Sequence, residues 1–412
     1  MARQRGGMSA EAMSKILQKE DGDLNDFYNY YLEKADHFRE VKCEIESIPK
    51  GDNVTNSIMV IDMQNDFVNS DGAFSVTDGK NMVGELADWI NKNASKCTKV
   101  IFTRDSHPND HCSFFKHGDP KENVDIGGPF PPHCIINSSG ADMHPSMDHF
   151  SKLKNAEVIF KGMTSNADSF GAFEYPNDEY SLSRQIGKNC CKTHESCSNA
   201  TGGFYIKNLS TEKAFGKSPL PDDWKERTKK FEIKDLLSGN EKEHNVFIVG
   251  LAGDYCVRDT AINIAKKGNI NGTKINVFVI EPLVRYAFLP VFVGLVVPEF
   301  RPMKEEDLKE SGRKDLSKYA FTTTESKKHK FKILSAEEAK SVTQADIDNM
   351  SSGYFHFLTD PRHIVKNYKD SGVKLLMEMP GLHRNIKNSR PPWRGGSRRN
   401  KKQRSLISTR KH

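Results

Sequence analysis

Four apolar runs in this chain stop at, or lead into, a residue that can do chemistry. SIMVI (57–61) ends at Asp62, and KVIFT (99–103) leads to Asp105. EVIF (157–160) ends at Lys161, and NVFIVG (245–250) runs through LAGDY to Cys256. A thiol, an acid and a lysine are the parts of a nucleophilic hydrolase. Cys256 can attack a carbonyl, Asp62 can take the thiol proton, and Lys161 can stabilise the negative charge that develops. Cys256 also opens the helical stretch CVRDTAINIAKK, and a helix N-terminus lowers a thiol pKa. Each residue alone has a blander reading: an inert buried cysteine, a strand-end turn, a surface lysine. Four such endings together are a stronger signal.

The second ending carries more. Asp105-x-His107-x-x-x-His111 offers one carboxylate and two imidazoles, and GPFPPHC (128–134) adds His133 after two prolines. That donor set suits a catalytic divalent ion: zinc first, with iron or manganese as alternatives. Histidines in a polar loop are the competing interpretation, and their dense spacing argues against it.

These residues converge only if the runs are strands of one sheet. Short apolar runs alternate with amphipathic stretches such as VGELADWINKN (83–93) and TAINIAKKG (260–268), and INVFVI (275–280) closes the series. The alternation predicts an α/β fold, a three-layer sandwich with a mainly parallel central sheet. In such sheets ligands bind at the carboxyl ends of the strands, where these side chains fall.

Around that core the 412 residues divide further. Residues 1–50 form an N-terminal extension with partly helical spacing. Residues 51–300 are the catalytic domain, interrupted at about 176–230 by a polar insertion. Residues 301–382 are a charged C-terminal appendix, and 383–412 a basic tail expected to be disordered. The tail holds 11 Lys or Arg and no acid against a chain total of +6, which leaves −5 for the rest. SRRNKKQR (397–404) in it resembles a nuclear localisation or nucleic-acid patch, so a polyanion or an import receptor is its expected partner. CCKTHESC (190–197) in the insertion is read as a thiol-bearing loop, with a second zinc site as the lesser alternative. The eight cysteines do not make a disulfide scaffold. Neither a secretory signal nor a membrane-length apolar run is evident, so the expected location is cytoplasmic, with the tail directing the chain to the nucleus as a further option.

VIDMQNDF, TRDSHPNDH, PFPPHC, FKGMTSNADSFGAFE and VGLAGDYCVRDTA, in that order, resemble the nicotinamidases of the isochorismatase-like cysteine hydrolase superfamily. The resemblance spans about residues 56–287. It implies the isochorismatase-like hydrolase fold, with Asp62 as base, Lys161 as charge partner and Cys256 as nucleophile. It implies Asp105, His107 and His133 as metal ligands, with His111 matching a fourth found in some members. It implies a pyridine pocket walled by Phe67, Phe130, Phe170 and Tyr255. The oxyanion hole would be formed by the amides of Ala252 and Cys256, with a cis peptide before Ala252. The implied reaction is hydrolysis of nicotinamide to nicotinate and ammonia through a thioester, in NAD salvage. Phe130 stands where many members have Trp, and Tyr255 where many have His. A related cysteine amidohydrolase acting on another amide or carbamoyl group, and a binding protein on a retired hydrolase core, are the rival expectations. A homo-oligomer is left open.

Overall fold

The computed structural model describes residues 35–76, 78–114, 130, 132–175, 200–217, 219–287, 290–293, 330–331, 354–357 and 361–383. The basic tail past His383, the thiol-bearing loop 190–197 and most of the 301–360 segment lie outside the described residues.

Nine strands make one sheet. In chain order they are β1 (Val54–Ile61), β2 (Lys99–Asp105), β3 (Ala156–Lys161), β4 (Phe204–Ile206), β5 (Thr228–Lys230), β6 (Glu243–Leu251), β7 (Asn269–Ile270), β8 (Thr273–Arg285) and, near the C-terminus, Lys374–Leu376. Between the last two come β9 (Pro290–Val293), β10 (Lys330–Phe331) and β11 (Tyr354–Phe357), which form a separate three-stranded sheet, so Lys374–Leu376 is β12. The main sheet runs β12-β8-β6-β1-β2-β3-β4-β5, with β7 pairing β8. From β12 to β3 every pair is parallel, while β4 and β5 add on antiparallel. The central strands carry the apolar runs because both their faces are covered. All of β1 past Val54 is buried, and so is all of β2 past Lys99.

Among the described residues the longer helices beside the sheet are α1 (Gly79–Asn93), α2 (Cys256–Ala265) and α3 (Pro361–Ser371). In α1 the buried positions Met82, Val83, Leu86, Trp89, Ile90 and Asn93 recur at three and four residues, which puts one apolar stripe on the sheet. The chain reverses direction at β1. The β1–α1–β2 crossover runs towards one edge and β6–α2–β8 towards the other. Right-handed crossovers in opposite directions place α1 and α2 on opposite faces. The gap between the outgoing loops of β1 and β6 is the switch point where such folds bind ligands.

The terminal segments are part of this body. Val41 and Cys43 exchange backbone hydrogen bonds with Leu375 of β12 at 2.8 Å each, and Phe38 is fully buried in the core. Beyond β12 the chain straps over α1: Trp89 Nε1 donates to Pro380 O at 2.8 Å, and Leu382 N donates to Asn93 Oδ1 at 2.9 Å. Likewise β4 and β5, from the region of the insertion, widen the sheet instead of looping off it. Among the described residues no helix is long and apolar enough to cross a membrane.

Candidate active site

Asp62 is the first residue past β1, and it turns out of the strand in the left-handed region at φ 46°. Aspartate tolerates that conformation better than most residues, yet it costs on the order of 1 kcal/mol or more and needs support. Thr103 on the neighbouring β2 supplies it. The Thr103 hydroxyl accepts from Asp62 N at 3.0 Å and donates to Asp62 Oδ1. The other oxygen, Asp62 Oδ2, lies 2.8 Å from Lys161 Nζ.

Lys161 ends β3 and is completely buried. Its ammonium stands 2.6 Å from Asp105 Oδ1 and 3.3 Å from Cys256 Sγ as well. Burial pulls the Lys161 pKa down, but Asp105, Asp62 and Cys256 outweigh it and hold it well above the ordinary lysine value. The lysine is therefore a fixed cation. Burial pushes Asp62 up, Lys161 opposes, and Asp105 adds to the rise, so Asp62 lies above the usual carboxylate range.

Cys256 opens α2. Its sulfur does not have the lowered pKa that a helix N-terminus alone suggests. Burial raises it well above the usual thiol value, and Lys161 is outweighed because Asp62 and Asp105 face the same sulfur. The proton rests on Sγ with a basic carboxylate beside it, the arrangement of a thiol deprotonated only as it reacts. A cis peptide joins Leu251 to Ala252 just before this turn. As the first helical residue, Cys256 has an N–H with no intrahelical acceptor.

Asp105 ends β2 and faces a second cluster. Its Oδ2 lies 3.3 Å from His107 Nε2 and 3.9 Å from His133 Nε2. The three ligand atoms all lie within 4.8 Å of one another, in buried surroundings. Tetrahedral ligands about 2.0–2.2 Å from zinc stand roughly 3.3–3.6 Å apart, so the donor set fits a small divalent ion. The opposite ring nitrogen of His107 bonds the Gly162 carbonyl at 2.9 Å, which leaves Nε2 for a metal. Gly162 has to be glycine: its φ is 65°, and a Cβ there would come within 2.4 Å of the His107 ring.

His111 stands apart from Asp105 and His133. Its ring lies tilted by 35° against that of His107, with centroids 4.0 Å apart. Its Nδ1 is 2.7 Å from Ser113 Oγ and its Nε2 is 3.3 Å from the Ala167 carbonyl. With both nitrogens engaged, His111 is grouped instead with His107 and Asp168. His107 is thus shared between two buried donor groups, Asp105–His107–His133 and His107–His111–Asp168.

Phe67, Phe130, Phe170, Tyr255 and Ala252 all border one narrow cavity with Cys256, Asp105, His107 and His133. Phe130 meets Phe170 and Tyr255 edge-on, with centroids 6.1 and 5.8 Å apart. Five residues not singled out from the sequence line it too: Phe74, Val76, Ser113, Asp168 and Ala287. Phe74 packs 4.7 Å from the His133 ring. Burial raises the Asp168 carboxyl to about 6, against the pull of His107. Two further residues hold the scaffold. Gln64 brackets the Asp105 peptide group, donating to its carbonyl at 2.8 Å and accepting from its N–H at 2.7 Å. Asp66 accepts from Cys134 N at 2.7 Å, beside His133. Both lie in MQNDF, a run of three polar residues with no period to mark them.

An α/β body gathers an acid, a lysine and a cysteine at the strand ends, and comparison with known proteins finds relatives of similar sequence. The isochorismatase domain model matches residues 56–171. The nicotinamidase of Saccharomyces cerevisiae is 23% identical over 229 residues, 52% of this chain and 82% of the relative. The nicotinamidase of Escherichia coli is 29% identical over 221 residues, 52% of this chain and 77% of the relative. The solved structure of the yeast nicotinamidase Pnc1p aligns at 20% identity and a TM-score of 0.37, over 63% of this chain and 98% of that one. Residues 56–171 thus match an isochorismatase domain, and the curated relatives this chain resembles are nicotinamidases.

Proposed function

We propose that this hydrolase is a nicotinamidase, converting nicotinamide to nicotinate and ammonia. One observation carries the reading: Lys161 Nζ touches Asp62, Asp105 and Cys256 at 2.8, 2.6 and 3.3 Å, and Asp105 and Cys256 line an aromatic cavity. The lysine therefore joins a nucleophile and its base to a metal-type cradle. The full set of reacting groups argues against a retired hydrolase core, and the cradle argues against a carbamoyl or other metal-free substrate.

Asp105, His107 and His133 would hold one divalent cation, with zinc the first candidate and iron or manganese the alternatives. When bound, it supplies a Lewis-acidic position for a pyridine nitrogen. Phe67, Phe130, Phe170 and Tyr255 sandwich the flat ring and exclude water. The Cys256 proton passes to Asp62 as Sγ attacks the carboxamide carbon. The amides of Ala252 and Cys256 receive the oxyanion. Protonated Asp62 then gives that proton to the amide nitrogen, the C–N bond breaks, and ammonia leaves a thioester on Cys256. Asp62 next takes a proton from water, whose oxygen attacks the thioester carbon. The C–S bond breaks, Asp62 returns its proton to Sγ to restore the thiol, and the acid formed gives its carboxyl proton to solvent and departs as nicotinate. Lys161 keeps its proton throughout and balances the charge that moves between Asp62 and Sγ. The nicotinate formed would feed NAD salvage.

Ammonia release from nicotinamide by purified protein tests the reading, before and after chelation and with Cys256→Ala alongside. Turnover that requires both the metal and Cys256 is expected. No turnover by a folded, metal-loaded protein would overturn the reading.

A further inference from the structure

The loop 167–175 brings Phe170 to the cavity, and it is attached along the helix that starts at the nucleophile. Three neighbouring side chains of α2 make the attachment. Thr260 Oγ1 accepts from Ala172 N at 3.0 Å, and Asn263 Nδ2 donates to Phe173 O at 3.0 Å. The third link runs through Tyr175. Its hydroxyl accepts from Gly171 N at 2.9 Å and donates to Asp259 Oδ2 at 2.8 Å. Asp259 Oδ1 in turn accepts from Arg258 Nε at 2.8 Å. The approach is close: a Cβ on Gly171 would come within 2.7 Å of Asn263 Nδ2. Tyr175, Asp259, Thr260 and Asn263 are all buried.

The two ends of this network lie in the cavity. At one end is Cys256, three residues before Asp259 on the same helix. At the other is Phe170, one residue before Gly171, with its ring centroid 5.3 Å from that of Tyr255. A buried Arg–Asp pair is weak evidence for added stability, since taking both charges out of water offsets most of their attraction. It does fix geometry, because the hydroxyl has one acceptor direction left and that carboxylate is held from its other side. A shift of the loop relative to α2 would move Phe170 against Tyr255 and leave the Lys161–Asp62–Cys256 contacts untouched.

We infer that Tyr175 and Asp259 are a positioning pair that fixes the Phe170 loop on the nucleophile helix and so sets the width of the slot that takes the substrate's flat ring. The identity of that ring rests on the nicotinamidase reading, whereas the width of the slot does not. The slot would admit single-ring heteroaromatic carboxamides and reject fused two-ring ones.

The test uses the full chain loaded with metal, with the variants Tyr175→Phe and Thr260→Val. Kinetics are measured on nicotinamide and on quinoline-3-carboxamide, with hydrogen exchange followed over residues 168–176. In Tyr175→Phe, KM for nicotinamide is expected to rise about tenfold with kcat within about twofold. The preference for nicotinamide over the bicyclic amide should shrink by a similar factor, and exchange of the Gly171 amide should speed up. A variant that melts earlier but keeps KM, the preference and the slow exchange would show a purely structural role and overturn the inference. Thr260→Val keeps the test open if Tyr175→Phe fails to fold, because it removes the acceptor for Ala172 N from the same loop and should move the same three readouts. If the wild type turns over neither amide, the functional reading fails and exchange alone decides. Fast exchange at Gly171 in the variant then supports the pair, and unchanged protection overturns it.

Discussion

Asp105 gives one carboxylate oxygen to each half of the site: Oδ1 lies 2.6 Å from Lys161 Nζ, and Oδ2 lies 3.3 Å from His107 Nε2. Lys161 and the Asp105–His107–His133 cluster are therefore coupled through a single side chain at the end of β2. Burial alone would raise the Asp105 pKa, but Lys161, His107 and His133 together hold it far below the usual carboxylate range. The group is an anion at every working pH, as a ligand must be. Asp105→Asn keeps the size but gives up the charge on both sides. The expected outcome is loss of bound metal by elemental analysis together with a fall in turnover of at least about a hundredfold. An Asn variant that held metal at wild-type stoichiometry and kept its kcat would sink the coupling.

Thr103 is the support for Asp62 and touches no substrate-facing surface. Thr103→Val leaves the volume nearly unchanged while orphaning the buried Asp62 N–H and freeing its carboxylate. The orphaned donor costs about 1–3 kcal/mol of stability. A base displaced from its hydrogen-bonding position costs more in rate, roughly tenfold to a hundredfold in kcat. Urea unfolding and steady-state kinetics on the same preparation separate the two. If kcat is unchanged where stability falls, Thr103 serves the fold alone.

Gln64 acts on the metal half from the backbone side. Gln64→Leu removes both hydrogen bonds to the Asp105 peptide group. The Ala141 carbonyl that Gln64 also contacts keeps Arg104 as a donor at 2.7 Å, so the damage centres on Asp105. Metal affinity should weaken by about 10–100-fold, as for other groups that orient a ligand. Competition against a chelator of known affinity measures it, and an unchanged affinity would remove Gln64 from any role in the site.

How far the sequence foretold this site follows from how each residue is placed. Asp62, Asp105, Lys161 and Cys256 announce themselves because each ends or follows an apolar run, and a parallel sheet sends all strand ends to one edge. Thr103 and Gln64 do not. Their roles come from the β1–β2 pairing, in which Val60 stands opposite Phe102, and a register leaves no mark within one strand. Phe74 and Asp168 sit in loops where no period distinguishes a wall from a surface residue. His111 is marked by its spacing, and the loop places its ring beside His107, with Nε2 3.3 Å from the Ala167 carbonyl. The three-residue β12 is too short to carry a pattern, so its place beside β8 comes from packing alone.

A last expectation concerns the opposite edge of the sheet. His244 begins β6 with no exposed surface, and its Nδ1 is 2.6 Å from Thr55 Oγ1. Its Nε2 has no hydrogen-bond partner among the described residues. Burial lowers its pKa from 6.5 to about 4, with Glu241 opposing weakly. Between those values the unfolded chain binds a proton that the folded chain refuses, so stability falls as pH drops from about 6.5 to about 4. Above that window the histidine is neutral in both states and contributes no slope. Below it both states are protonated and the loss levels off. At about 1.4 kcal/mol per pH unit the full loss is about 3 kcal/mol. Carboxylates titrate near the lower end of the same range, so the informative quantity is the difference between wild type and His244→Gln, measured by urea unfolding at pH 7, 5.5 and 4. The wild type should lose about 3 kcal/mol more than the variant across that span. Parallel curves would mean that the imidazole accepts its proton inside the folded protein at no cost.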